Sequence, residues 1–456
     1  PWLAGWLRSR GVRCVQADLS LDLALRLFSR DGLREAEAAM RRGRGRRTPA
    51  VRHFLAHAPA CQAAVESVIR FLQGRDDAPA RRIAGRGWLP EGPRFGALDR
   101  APSPLALFGP GAVRDRARFL ASLFLDDLAD AIRDGLDARF GFARYADRLA
   151  VCAPSFAPLA AALDAEPGFV DARIEALAAG LARRLRPRFV GLTVPFPGAL
   201  YGALRAARAL KRTIPGLPIA IGGGYVNTEL RGLAEPRLFD EVDYVALDDG
   251  AIPLLRAIAH ADGAIGDDRL VRTFVRRGGR VLFRDGPAGE PDPPPLADIV
   301  PAYEDLPLDR YVGMAESANA MHRLWSDTLW LKLPATQGCH WRRCRFCDTA
   351  LPVIARRAST PADALADKLD TLAARTGRTG FHFTDEALPP ALLSRLADRL
   401  MARGSPVAWW GNIRFERAFT PALASKLAAA GCVAVTGGLE CAHDRLLALM
   451  DKGIDL

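Results

Sequence analysis

Three cysteines, Cys339, Cys344 and Cys347, fall within nine residues of a 456-residue chain that holds only eight. In a reducing compartment thiols this close read as metal ligands rather than crosslinks. Three thiolates at short loop spacing suit an iron-sulfur cluster, and with no fourth cysteine nearby one iron is left open for a substrate or cofactor. The alternative is a structural zinc site in which His340 or Asp348 supplies the fourth ligand; such sites usually pair with a second cysteine knuckle, and this chain has none. Cys14, Cys61, Cys152, Cys432 and Cys441 carry no spacing signal and are expected to be buried or incidental. His53, His57 and Cys61 lie at i, i+4, i+8. No carboxylate or second histidine pair completes that set, so it reads as a partly buried helix face.

The cysteine loop directly follows a predicted strand at Leu329 to Leu333. Helices are expected over Pro361 to Ala374, Ala391 to Arg403, Thr420 to Gly431 and His443 to Met450, and strands at Gly380 to Thr384, Val407 to Ile413 and Val433 to Gly437. Four strand-helix repeats amount to about half of an eight-fold barrel, with functional groups expected at the strand C-terminal ends. Those ends carry His382-Phe383-Thr384-Asp385-Glu386, Gly411-Asn412-Ile413-Arg414-Phe415-Glu416 and Gly437-Gly438-Leu439-Glu440. Singly, Asp385, Glu386, Arg414 and Glu440 are ordinary turn or salt-bridge residues; the signal is their repetition beside the cysteines.

Upstream, a second α/β pattern begins with an apolar run at Phe189 to Val194 and a helix over Leu200 to Arg212. Pro218 to Ile221 then runs into Gly222-Gly223-Gly224, a strand at Val242 to Leu247 ends on Asp248-Asp249-Gly250, and a helix covers Pro253 to Ala261. Strands ending in glycine or turns, alternating with helices, imply a parallel sheet with crossover helices. Trp2 to Arg10 reads as a helix and Val12 to Ala17 as a strand of the same sheet. From about 19 to 186 the alanine, leucine and arginine stretches have helical spacing and read as a helical insertion. Val271 to Val275 and Arg280 to Phe283 form a hairpin around Gly278-Gly279, and Pro291-Asp292-Pro293-Pro294-Pro295 a linker. The expected organisation is therefore residues 1–285 as a Rossmann-like domain, 286–327 as linker and 328–456 as the first part of a barrel. The chain begins without methionine, inside a helix, which suggests a fragment missing residues at both ends.

Composition limits the partners. At 49% hydrophobic and 25% charged the chain is ordinary globular material. A net charge of +11 would raise nucleic acid as a partner, but 58 arginines against five lysines, spread along the whole chain, read as a compositional skew. The one local basic cluster, Arg41, Arg42, Arg44, Arg46 and Arg47, reads as a solvated loop. No apolar run reaches the roughly 20 residues that span a bilayer, and Pro1-Trp2-Leu3-Ala4 is no signal peptide. A cytoplasmic protein that binds neither membrane nor nucleic acid is expected.

The stretch Gly338-Cys339-His340-Trp341-Arg342-Arg343-Cys344-Arg345-Phe346-Cys347-Asp348 resembles the radical S-adenosylmethionine (SAM) superfamily, in which a three-cysteine loop follows the first barrel strand. The usual spacing there is three residues and then two; this loop has four and then two, similar to a variant of the form Gly-Cys-x-Trp-x-x-Cys-x-Phe-Cys. The resemblance implies a 4Fe-4S cluster on Cys339, Cys344 and Cys347, whose unique iron chelates the amino and carboxylate groups of SAM. It implies Phe346 near the adenine, and Asp385 and Glu386 as candidates for receiving the SAM amino group. Arg414 would pair with the carboxylate, and Glu416 or Glu440 would take ribose hydroxyls or the amino group. The implied reaction is reductive cleavage of the carbon-sulfur bond, giving a 5'-deoxyadenosyl radical that abstracts hydrogen from a substrate, with a reductant such as ferredoxin or flavodoxin as partner.

The upstream segment is similar to the cobalamin-binding domain that precedes the barrel in one radical SAM subgroup. The similarity rests on Gln16-Ala17-Asp18-Leu19-Ser20, Val190-Gly191-Leu192-Thr193-Val194, the Gly222-Gly223-Gly224 turn, and Asp243-Tyr244-Val245 leading to Asp249-Gly250. Glycines at strand ends would let a large ligand approach the backbone. The Asp-x-His-x-x-Gly motif that supplies a cobalt ligand in many such domains is absent. Family members without it bind cobalamin with no histidine ligand or keep the fold alone. The subgroup methylates unactivated carbon, forms rings, or modifies peptides, tetrapyrroles and lipids, and nothing in these residues selects among small-molecule or peptide substrates. A zinc-stabilised, nucleic-acid-binding protein is the competing expectation.

Overall fold

The computed structural model describes residues 1–43, 45–99, 105, 108, 112–142, 155–287, 294–315, 324 and 330–456. Arg44, Cys152, Pro291 to Pro293 and Leu329, named above, lie outside them. The helical part opens with α1 (Trp2–Ser9), α2 (Leu19–Leu27), α3 (Arg30–Arg42), α4 (Pro49–Leu72), α5 (Ala80–Ala84) and α6 (Val113–Gly135). Helix α4 starts where Thr48 Oγ1 accepts from Val51 N and Pro49 takes the first position, which needs no donor. It kinks at His57, because Pro59 removes a backbone N–H and crowds the preceding turn. Leu27, Leu33, Val65, Val68, Phe71, Leu120 and Phe124 form its core. Cys61 is buried in that core, while the rings of His53 and His57 lie 4.6 Å apart, so this helix face is packing. Within the basic cluster, Arg41 bonds Glu37 and the carbonyl of Leu55, and Arg47 bonds the carbonyl of Met40 near the end of α3.

Two further helices, α7 (Ala157–Asp164) and α8 (Phe169–Leu185), fall inside the expected insertion but pack on the first sheet. Leu163, Ala178 and Ala182 share a core with Leu204, Ile219, Ile221 and Val245. A buried ionic network fixes this packing. Arg205, 1% exposed, meets Glu175 at 2.9 Å, and Asp171 accepts from Tyr201 at 2.9 Å. The sheet consists of β1 (Val190–Thr193), β2 (Ile219–Gly222), β3 (Tyr244–Ala246), β4 (Thr273–Arg277) and β5 (Arg280–Arg284), in that spatial order. The first three strands are parallel, with α9 (Pro197–Thr213) crossing over between β1 and β2, and β4 and β5 form the expected antiparallel hairpin. Two shorter helices follow β2 and β3, α10 (Gly224–Glu229) and α11 (Ala251–Ala261).

The strand expected at Val12 to Ala17 does not form. Side chains take the backbone groups a ladder would have used: Arg8 donates to the carbonyl of Cys14, and Asp305 accepts from Gln16 N at 3.1 Å. Helix α1 instead lies on α11 through Trp6, Leu7 and Ala251. The linker is likewise packed chain where it is described. Leu296, Ile299, Ala302 and Tyr303 are buried, Tyr303 Oη exchanges hydrogen bonds with Lys332 N and O, and Gly313 N donates to the carbonyl of Leu72.

The second sheet contains β6 (Trp330–Leu333), β9 (Gly380–Phe383), β10 (Ala408–Asn412) and β11 (Cys432–Thr436), all parallel in the order β11-β10-β9-β6. A short antiparallel pair, β7 (Thr336–Gln337) and β8 (Ala358–Ser359), and α12 (Pro352–Ala355) flank the cysteine loop and were not anticipated. Helices α13 (Ala362–Thr376), α14 (Pro390–Ala402), α15 (Pro421–Ala429) and α16 (Asp444–Leu449) complete the repeats. Leu331, Leu333, Phe381, Phe383 and Trp409 bury against Leu365, Leu369, Leu393 and Leu396 of α13 and α14. Strand alternation then places Lys332, His382 and Trp410, which are in register, on the opposite face. No helix among the described residues is long and apolar enough to cross a membrane.

Candidate functional site

The C-terminal ends of β6, β9 and β10 are tied together by one buried carboxylate. Asp385 accepts from Ala335 N at 2.9 Å, from Thr336 N and from Thr336 Oγ1 at 2.6 Å, and its own carbonyl accepts from Asn412 Nδ2 at 3.0 Å. Burial outweighs these hydrogen bonds and raises its pKa to about 6. Both carboxylate oxygens are thus engaged by the chain that leads into the cysteine loop. Its neighbour Glu386 is exposed, so the structure separates two residues that the sequence presents as a pair.

In the loop itself Cys339 and Cys344 are half-buried and Cys347 is exposed. Cys347 N closes a turn on the carbonyl of Cys344 at 3.2 Å. The Cys347 thiol is pushed up by burial and then by Cys344, Glu386, Cys339 and Asp348. The three thiols therefore share one electrostatic neighbourhood with Glu386. Mutual repulsion of this kind is relieved when a cationic iron cluster takes the thiolates. Among the described residues no group of three or more His, Cys, Asp or Glu side chains is gathered closely enough to hold one metal ion, the three loop cysteines included. His340 Nε2 is bonded to Glu416 at 2.8 Å, and Asp348 Oδ1 accepts from Ala350 N. Other thiols are occupied elsewhere: burial pushes Cys61 to about 12 and Cys432 to about 11, and Cys14 donates to the carbonyl of Ala4.

Arg414, 6% exposed, sends Nε to Glu416 at 2.8 Å, Nη1 to Cys344 Sγ at 3.9 Å and Nη2 to the carbonyl of Lys452. Glu416 joins Arg414 to His340; burial raises its pKa, but the hydrogen bonds from His340 and Arg414 outweigh that and leave it lowered. Phe346 is exposed at 55%, with Lys452 Nζ 5.4 Å from its ring centroid, and Lys452 Nζ also meets Glu440 Oε1 at 3.0 Å. Phe346, Glu440, Arg414, Glu416 and Glu386 thus surround the cysteine loop.

Sequence reasoning missed Lys452 as part of this site, gave Trp341 no role beyond its place in the loop motif, and placed His340 there only as a zinc ligand, whereas it bonds Glu416. One signal was available: in a chain with five lysines, Lys452 stands here and Lys332 one layer below. In that lower layer the rings of His382 and Trp410 stack at 3.6 Å and 2°, and burial, then Lys332, pushes His382 down to about 4.

Gly222, Gly223 and Gly224 lie at the corresponding edge of the first sheet. Gly223 has φ +109°, and a Cβ there would sit 2.9 Å from the carbonyl oxygen of Val194. A Cβ at Gly224 would sit 2.9 Å from that of Pro195. These glycines serve a close approach of the chain to itself. Beyond them Asp248, φ +61°, pairs with Arg231 and Arg272, and Asn227 brackets its backbone. Burial raises the pKa of Asp249, against which Arg272 and Arg356 act. Arg356 follows α12, so its charge links this edge to the cysteine-loop side.

A scan of protein-family models finds no match, and no curated protein matches. Among solved structures the chain is similar to the cobalamin-dependent S-adenosylmethionine radical enzyme OxsB with aqua-cobalamin and S-adenosylmethionine bound. That likeness has 15% identity and a TM-score of 0.47, covering 62% of this chain and 39% of OxsB. It is also similar to the radical S-adenosylmethionine methyltransferase TsrM from Kitasatospora setae with cobalamin and a 4Fe-4S cluster bound. Here the identity is 19% and the TM-score 0.43, covering 63% of this chain and 54% of TsrM.

Proposed function

We propose that this chain is a radical SAM enzyme whose Cys339, Cys344 and Cys347 hold a 4Fe-4S cluster. The observation that carries the reading is the placement of three electrostatically coupled thiols on one loop at the C-terminal edge of a parallel sheet, with acidic and basic side chains arranged around them. When bound, the cluster and SAM supply one-electron reductive cleavage of a carbon-sulfur bond. The protein's own part is positional. Glu386 is the accessible carboxylate for the SAM amino group, Phe346 offers an exposed ring to the adenine, and Glu440 stands by for ribose hydroxyls. Arg414, with two of its nitrogens already committed to Glu416 and Lys452, keeps Nη1 toward Cys344 and supports the loop. Asp385 fixes the strand ends, and the His382-Trp410 stack closes the layer beneath.

On this reading residues 1–285 form a Rossmann-like unit, 286–327 a connector and 328–456 a partial barrel. Cobalamin is the further cofactor that the resemblance assigns to the first sheet. Gly222, Gly223 and Gly224 approach the carbonyl oxygens of Ala246, Val194 and Pro195. The substrate is a small molecule or peptide, with methyl transfer or another carbon-centred modification as outcome and a ferredoxin or flavodoxin as electron donor in the cytoplasm.

Anaerobic purification and iron-sulfide reconstitution test the reading. About four irons per chain and an EPR signal of the reduced protein that changes with SAM are expected. Bound zinc, or a cluster indifferent to SAM, overturns it.

A further inference from the structure

The turn after α16 makes more contacts with the cysteine loop than its sequence, Met450-Asp451-Lys452-Gly453, suggests. Arg345 N donates to the carbonyl of Met450 at 2.9 Å, and Trp341 Nε1 to that of Asp451 at 2.7 Å. Arg343 meets the Asp451 carboxylate at 3.3 Å. Two guanidiniums lie over the Trp341 indole, Arg343 at 5.0 Å and Arg414 at 4.8 Å from its centroid, and Arg414 also bonds the carbonyl of Lys452. Two backbone features make this docking possible. Asp451 adopts φ +50°, and Gly453 adopts φ +69° against the face of the indole, where a Cβ would fall 2.0 Å from a ring carbon. Only glycine meets both conditions at position 453. Lys452, 7% exposed, then reaches Glu440 and the Phe346 ring from the same turn.

We infer that the Asp451-Lys452-Gly453 turn is a latch that holds the cysteine loop in its ligand-presenting shape, with Trp341 and Gly453 as positioning residues. The geometry stands by itself; its consequence for the cluster rests on the reading of Cys339, Cys344 and Cys347 as ligands. A loop bearing three coupled thiols has little packing of its own, and these contacts come from residues on both sides of Cys344 to one turn. Releasing the latch raises the population of open loop conformations while leaving the helical core untouched.

The test uses the full chain in its reduced, metal-free form, alkylated with iodoacetamide and read cysteine by cysteine by mass spectrometry. Trp341→Phe removes the indole N–H and keeps a ring; loop cysteines are expected to react about fivefold faster, the shift that losing one net hydrogen bond produces. Gly453→Val is expected to give a larger increase. Cys61, buried in the helical core, reports folding and should stay unreactive in both. If Gly453→Val also exposes Cys61, Trp341→Phe decides. Unchanged loop reactivity in Trp341→Phe with Cys61 protected overturns the latch. After reconstitution, Trp341→Phe should broaden or shift the EPR signal of the reduced cluster. A wild-type protein that takes up no iron would defeat the cluster assignment, while the alkylation rates would still decide the latch.

Discussion

The two parallel sheets end in contrasting ways. At the first, Gly223 and Gly224 meet the carbonyls of Val194 and Pro195, and the acidic residues after β3 are neutralised by Arg231 and Arg272. At the second, Asp385 fixes the strand ends from inside, leaving Cys347, Phe346 and Glu386 exposed. The order of strands sharpens the contrast. Among the described residues β1, β2 and β3 follow one another in space as in sequence, without the reversal of strand order that marks a switch-point crevice. A glycine-rich strand end and a cysteine-rich strand end look equally functional in sequence, yet among the described residues the first packs its glycines and pairs Asp248 within its own edge, while the second leaves a thiol, a ring and a carboxylate exposed.

Substitutions on the two edges separate these roles. The largest effect is expected from Cys344→Ala, which should reduce iron from about four per chain to near none and abolish SAM cleavage; Gly223→Val should leave the iron count unchanged. Gly223→Val should instead cost about 2–3 kcal/mol in chemical denaturation, because a side chain is forced into a positive-φ position against a carbonyl. A Gly223→Val protein of normal stability that lost a bound corrinoid would erase the contrast.

Asp385→Ala should destabilise by about 3 kcal/mol, since two buried backbone N–H groups lose their acceptor. Glu386→Gln should weaken SAM binding about tenfold at unchanged iron content, as expected for loss of one charge-assisted hydrogen bond; titration calorimetry with SAM measures it. If Asp385→Asn weakened SAM at full stability while Glu386→Gln did not, the two roles would be exchanged.

The pH dependence carries a signature of the second edge. His382 has a folded pKa of about 4 against 6.5, so its neutral form contributes stability that is full above pH 6.5 and is lost as pH falls toward 4. Asp385 acts with the opposite sign. Its folded pKa of about 6 against 3.8 makes ionisation costly above pH 6, and that cost is relieved as pH falls toward 3.8. The two partly cancel in the wild type, so Asp385→Ala should lose stability more steeply than wild type between pH 6.5 and 4, measured by urea unfolding at several pH values. The smallest effect is expected on the first edge: Asp249→Asn should change stability at pH 7 by less than about 1 kcal/mol, because burial already opposes its charge while Asn keeps an acceptor for Ala251 N.

The repeats of the second sheet were legible because each strand is an apolar run ended by a turn and each helix repeats its apolar positions at helical spacing. The β4-β5 hairpin was legible from Gly278-Gly279. The strand expected at Val12 to Ala17 was not there, because Arg8 and Asp305 claim its backbone groups, and Asp305 lies 289 residues beyond Gln16. No local pattern carries that information. Helix α8 read as part of an insertion because its spacing states only that it is amphipathic, not which surface it covers.

By itself the sequence determined the chemistry available: three thiols on one loop and a set of carboxylates and arginines at strand ends. Tertiary structure decided their division of labour. Asp385 became a strand clamp because Ala335 N, Thr336 N and Thr336 Oγ1 converge on its carboxylate, while Glu386 enters the bend that follows β9 and stays exposed. Trp341 and Gly453, 112 residues apart, became a contact because α16 returns the chain to the loop. Residue type and spacing fix what a group can do; which groups remain available depends on long-range hydrogen bonds and burial, which only the folded chain sets.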